Sequence, residues 1–233
     1  MRKWWILLAG LLLLAACTED NAILLNEQAM VNITDGRMVT DNGLTYQVAE
    51  DHTNAGWKTL KRAWIRCDVL RQRSATEFDI ALQEARSCLL KDPVRSGSVD
   101  PGSLGDDPVL PREGWFSNGL LNLLVQLAYV PSSDNPPYVF NLLFDEQEST
   151  ADTLRFELRL NSSGRYYGAP GHETLGDDLS VAATYCSFPV LGFLPEGKDE
   201  AVVRITSRWY KSDVDGQLLP ETETVTRTGK LRR

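Results

Sequence analysis

The chain is short of the residues that usually carry chemistry. Of 233 residues only two are histidine, His52 and His172, and they stand in separate polar stretches. A transition-metal site needs several nitrogen, sulfur or carboxylate ligands at close spacing, so both read as solvated surface residues and no metal ligand is expected. There is no G-x-S-x-G elbow, no G-x-G-x-x-G turn and no Walker loop. The sequence signals of a hydrolase nucleophile turn, a dinucleotide fold and a P-loop are therefore missing, and neither a catalytic residue nor a cofactor is expected. Basic residues are few, 24 Lys and Arg against 32 Asp and Glu, and none form a long run. Nucleic acid is not an expected partner, because phosphate neutralisation needs a basic face. The Asp213-Val214-Asp215-Gly216 stretch has Gln217 and Leu218 where a calcium loop would need further oxygen ligands, and reads as a hairpin turn. The pairs Asp106-Asp107 and Asp177-Asp178 read as solvated charge in turns. Helical periodicity is scarce too; apolar alternation at period two dominates, broken by Gly, Pro, Asn, Asp and Ser, and points to an all-β chain.

What the chain does have begins at its start. Arg2 and Lys3 precede an apolar run over 4–14 broken only by Gly10, and Leu14-Ala15-Ala16-Cys17 follows. A basic head, an apolar middle and small residues before a cysteine make a lipoprotein signal peptide over residues 1–16. A spanning helix needs about 20 apolar residues, and Glu19 and Asp20 forbid an extension. Cys17 is thus the expected lipid attachment site and the new N-terminus after cleavage, with 17–27 as tether. The partner this implies is a membrane, reached through the acylated Cys17, and the expected place is the bacterial cell envelope, at the outer membrane. Several acyl chains hold stably where one holds marginally. Cleavage removes two basic residues and no acidic ones, leaving 22 against 32, a net charge of −10.

Three cysteines remain, Cys67, Cys88 and Cys186. An oxidising compartment permits a Cys67–Cys88 disulfide, closing a loop that would add about 3 kcal/mol. The other reading is burial, with the thiol as a small apolar filler.

Between Gln28 and Asp92 the pattern gives about five short strands, which suit a small barrel of the OB type over 28–92. The clearest is 62–70: Ala63, Ile65, Cys67 and Val69 face a core, while Arg62, Trp64, Arg66 and Asp68 face water. Residues 81–90 fit a strand or a short helix. Residues 93–114, with four prolines and four glycines, read as a linker. Residues 115–233 hold six more strands, among them 120–130, with Asn122 and Gln126 on one face, and 153–160, and suit an antiparallel β-sandwich.

Several of these stretches resemble one family. The lipobox, the 39–48 strand pair around Asn42-Gly43, Lys91-Asp92-Pro93-Val94, Gly105-Asp106-Asp107-Pro108-Val109 leading into Gly114-Trp115 and the 120–127 strand, and Leu154-Arg155-Phe156-Glu157-Leu158-Arg159 with Gly164 after it are similar to NigD-like lipoproteins. That family occurs mainly in Bacteroides-type bacteria and pairs an N-terminal OB-like barrel with a C-terminal β-sandwich. Its name comes from a bacteriocin gene cluster. The resemblance implies the same two-part fold and, more loosely, protection against a bacteriocin.

The expected role is that of a non-enzymatic envelope lipoprotein that binds a protein or a glycan; the alternatives are bacteriocin immunity and a glycan-binding accessory protein. Trp57, Trp64, Trp115, Tyr166, Tyr167 and Trp209 are candidates for exposure. Among them Trp64, Tyr166 and Tyr167 are the expected sugar-stacking residues, against the alternative of core and interface packing.

Overall fold

A computed structural model describes residues 24–53, 56–129, 138–172 and 180–233. The leader, Cys17 and the Asp177-Asp178 pair lie outside them. The first five strands are β1 (Leu24–Thr34), β2 (Arg37–Thr40), β3 (Thr45–Asp51), β4 (Arg62–Gln72) and β5 (Glu77–Leu90). Asp35 and Gly36 both take positive φ, 50° and 74°, the two-residue turn whose twist matches paired strands. β1 pairs with β2, β2 with β3 and β4 with both β1 and β5, all antiparallel, and a parallel β3–β5 ladder closes the ring. The cyclic order 1-2-3-5-4 is that of an OB-type barrel. Its core contains Val31, Met38, Tyr46, Ala63, Ile65, Cys67, Ile80 and Leu82. The ambiguous 81–90 stretch is strand. Residues 79–82 are all buried, on both faces of the strand, with Arg71 and Arg73 lying over Asp79, and so no period shows.

The later strands are β6 (Val94–Arg95), β7 (Leu110–Ser117), β8 (Leu120–Tyr129), β9 (Val139–Phe144), β10 (Thr153–Asn161), β11 (Ser180–Pro189), β12 (Glu200–Ser212) and β13 (Leu218–Arg232). One sheet runs β13-β12-β10-β9-β6. Facing it, β11, β8 and β7 continue the barrel's own sheet, since the last residues of β5 pair in parallel with β11, Cys88 opposite Tyr185 and Leu90 opposite Ser187. Leu121, Leu123, Val125 and Leu127 of β8 meet Leu154, Phe156, Leu158 and Leu160 of β10 in the sandwich core. Most ladders are antiparallel; β10–β12 and β6–β9 run parallel. β10 and β12 are separated in sequence by β11, which sits in the opposite sheet, so the chain re-enters in the same direction.

The proline-rich segment 93–114 is more ordered than its composition implies. It supplies β6 at a sheet edge, where a missing N–H is tolerated, then short 3₁₀ turns at Ser96–Ser98 and Pro101–Leu104, and from Leu110 it is β7. Gly105 pins it down: φ is +82°, and a Cβ there would collide with the Leu160 carbonyl oxygen and lie 2.7 Å from the Asn161 Cα.

Candidate functional site

The largest fully buried side chain with a charge is Arg62, at the start of β4. Its guanidinium uses all five of its N–H donors. Nε donates to Ser187 Oγ at 2.8 Å; Nη1 donates to Asn32 Oδ1 and Asp41 Oδ1, both at 2.8 Å; Nη2 donates to Asp41 Oδ2 at 2.7 Å and Asn122 Oδ1 at 2.8 Å. Ser187 donates to Asn122 Oδ1 at 2.6 Å, Asn122 Nδ2 donates to Ser117 Oγ at 2.7 Å, and the Ser117 hydroxyl donates to Asp41 Oδ2. Asn32, Asp41 and Arg62 come from the barrel; Ser117, Asn122 and Ser187 come from the sandwich. The barrel and the sandwich are therefore joined by a closed polar circuit around a bidentate ion pair. Burial of that pair is tolerable because the remaining hydrogen-bonding positions are filled as well. The face of β4 expected to meet water is covered at this end by β8 and β11.

Cys88 belongs to the same seam. Its Sγ lies 3.2 Å from Ser187 Oγ, and burial pushes its thiol up, opposed by the Ser187 hydrogen bond and by Arg62. The Cys67–Cys88 disulfide is not formed; both thiols are free and buried. Cys67 stands opposite Leu82 while Ala63 stands opposite Ser87, which puts the two cysteines five residue steps, roughly 16 Å, apart at ~3.3 Å per residue. A disulfide needs Cα atoms within about 7 Å. Burial, with Glu27 and Asp68 adding repulsion, pushes the Cys67 thiol up to about 12, so it stays protonated as an apolar filler.

The three expected stacking residues do not come together. Trp64 lies flat on Tyr185 across the seam, ring centroids 5.5 Å apart and planes 9° from parallel, with Arg86 5.4 Å from its ring centre. Tyr167 is buried against Tyr210, Trp209 and Ala128, so it offers no face to a ligand. Tyr166 is half-buried in an isolated bridge with Tyr129. Trp57 and Trp209 are buried, Trp57 donating to Asp51 Oδ2 at 2.8 Å. The carboxylate pairs are split among local partners: Asp106 binds Arg208, and Asp107 accepts from Ser162. Asp213 accepts from the amides of Asp215 and Gln217, as a hairpin turn does. His52 lies 3.3 Å from Glu50 on the surface. No cluster of three or more metal-ligating side chains occurs among the described residues.

Trp115 is placed differently. It lines a cleft of about 300 Å³ bounded by β1 residues 27–30, the 40–42 turn with Leu44 and Tyr46, and Trp115, Phe116 and Ser117 of β7. Asp41 and Ser117 form its back wall and belong to the Arg62 circuit, so the cleft is built on rigid ground. Trp115, Gln28, Asn42 and Glu27 are half-buried or exposed, and their side chains have no hydrogen-bond or ion-pair partner among the described residues. A wider groove of about 380 Å³ on the sandwich has its acids Glu146 and Glu157 held by Arg95 and Arg159.

No family model and no curated protein matches the chain. Solved structures do. The fold is that of the NigD-like proteins. A NigD-like immunity protein from Bacteroides caccae aligns with a TM-score of 0.58 at 19% identity, over 86% of this chain and 90% of its own. A protein of unknown function from Bacteroides vulgatus aligns at 0.57 and 19% identity, over 88% and 90%. A candidate lipoprotein from Bacteroides fragilis aligns at 0.59 and 13% identity, over 89% and 97%. The NigD-like likeness is one of architecture along nearly the whole chain. No helix among the described residues is long and apolar enough to cross a membrane.

Proposed function

We propose that this chain is a lipid-anchored protein of the bacterial envelope that works by binding, held by an acylated Cys17 and using the β1–β7 cleft. The observation that carries the reading is the cleft itself: free hydrogen-bonding groups and an open indole on a wall that a buried ion pair keeps rigid. Binding sites pair such an apolar surface with a few well-placed polar groups. The Leu14-Ala15-Ala16-Cys17 sequence supports the anchor. Metabolic labelling with a fatty-acid analogue tests it. The wild-type chain carries label and sediments with membranes; a Cys17→Ala chain does neither. Label on the variant would refute the anchor.

The Bacteroides caccae neighbour is described as an immunity protein, which favours a second reading, protection against a bacteriocin. Deleting the gene and challenging the cells with culture supernatants of competing strains decides it: increased killing supports protection, and unchanged sensitivity removes it.

A further inference from the structure

We propose that the β1–β7 cleft is a saccharide site for one or two neutral sugar rings, with Trp115 as the stacking platform and Gln28 as the main hydrogen-bonding residue. The inference rests on the binding reading above and names its ligand class.

A pyranose has an apolar C–H face and a girdle of hydroxyls, each both donor and acceptor. It is held by one flat aromatic surface and by groups that donate and accept side by side. The cleft has both. Trp115 is half-buried and makes no ring contact among the described residues, whereas Tyr46 is buried edge-on to Phe78. One open ring makes a platform; a quaternary ammonium would want a cage of several.

The backbone supplies the second element. Ile33 N donates to Lys61 O just before β4, and Asp41 N donates to Met30 O from the β2 side. Hydrogen-bonded and non-bonded pairs alternate along an antiparallel ladder, so even-numbered residues of β1 turn toward β2. The β2 ladder begins only at Val31. The N–H and C=O of Gln28 therefore point past the end of β2 into the cleft, a donor and an acceptor at the spacing of neighbouring hydroxyls. The side-chain amides of Gln28 and Asn42 repeat that chemistry.

Charge is the third element. No Lys or Arg lines the cleft. Asp41 is occupied by Arg62 and Ser117, and Glu27 adds a carboxylate without an ion pair among the described residues. Phosphate, sulfate and uronate groups are repelled, while neutral hydroxyls can donate to Glu27. The volume of about 300 Å³ sits at the small end of ligand sites, and the cleft is open to solvent, so a longer chain can pass through.

The test uses the full chain in lauryldimethylamine oxide micelles, which carry no sugar headgroup, against an immobilised panel of neutral disaccharides, acidic disaccharides, extended peptides and choline. Retention of a neutral disaccharide is expected, weakened about tenfold or more by Trp115→Ala, by a smaller factor by Gln28→Ala, which removes the side-chain amide and keeps the backbone pair, partly restored by Trp115→Phe, and unchanged by Trp64→Ala and Tyr166→Ala. Thermal melts by circular dichroism check each variant's fold. Should Trp115→Ala unfold, the exposed Gln28→Ala decides. Undiminished binding in folded Trp115→Ala and Gln28→Ala overturns the site, and a preference for acidic sugars overturns the ligand class. Retention of peptide or choline without saccharide overturns the ligand class and leaves the binding reading standing. Retention of nothing overturns both.

Discussion

Arg62 shows how far one residue's environment can depart from its strand pattern. Removing it strands the Asp41 carboxylate, whose side chain is only 7% exposed. Arg62→Ala is therefore expected to destabilise the chain by about 3–5 kcal/mol, read from urea denaturation. Because Asp41 and Arg62 act as one unit, Arg62→Met with Asp41→Leu should cost less than the two single changes together. The buried acids of the barrel set a second expectation. Cys67 is raised from 9.0, and Tyr46 from 10.0, each to about 12, burial being the first cause in both. Below about pH 8 neither folded nor unfolded chain loses these protons to a significant extent, and stability is unaffected. Between about pH 8 and 12 the unfolded groups ionise while the buried ones cannot, so stability falls as pH rises. Urea midpoints should hold up to about pH 8 and then drop, less steeply in Cys67→Ala. At this scale the sequence was least readable. Arg62 shares its alternation with Trp64 and Arg66, and only the strands of the later half, packed over that end of β4, turn it inward. Trp115 is one of six aromatics of similar appearance until β1 and β7 are brought together.

Whole elements were easier to read, because period two states which face is buried. The alternation at 62–70, Arg62 apart, and at 153–160 matches the buried sets of β4 and β10. It gave no answer for β5, whose middle is covered on both faces. The 93–114 segment was hidden by its prolines, which mark an edge as readily as a linker. Its anchoring yields an expectation at element scale. Gly105→Ala meets both an unfavourable φ and the β10 backbone, whereas Gly216, φ +80°, has nothing within 4 Å of an added Cβ. Gly216→Ala should cost about 1–2 kcal/mol from φ alone. Gly105→Ala should cost distinctly more and should loosen β6, seen as faster amide exchange at Val94 and Arg95.

For the molecule as a whole, composition and turn spacing were enough to give an all-β chain with a barrel before a sandwich. They could not give the β5–β11 ladder, which joins residues almost a hundred positions apart; no local pattern encodes a pairing at that distance. Because this ladder makes the barrel sheet and the sandwich sheet continuous, and the Arg62 circuit crosses the same seam, the chain should unfold in one transition. Far-ultraviolet circular dichroism and tryptophan fluorescence should then give coincident denaturation curves; separated midpoints would mean two independent units.

The position of the cleft on β1 has one more consequence. Ten peptide steps separate Cys17 from Glu27, so with lipid on the cysteine the mouth of the cleft stays within roughly 35 Å of the acylated residue even with that stretch drawn straight. On the proposed anchoring, a captured ligand would be restricted to the layer of solution next to the bilayer, and molecules farther out would first have to diffuse down to it.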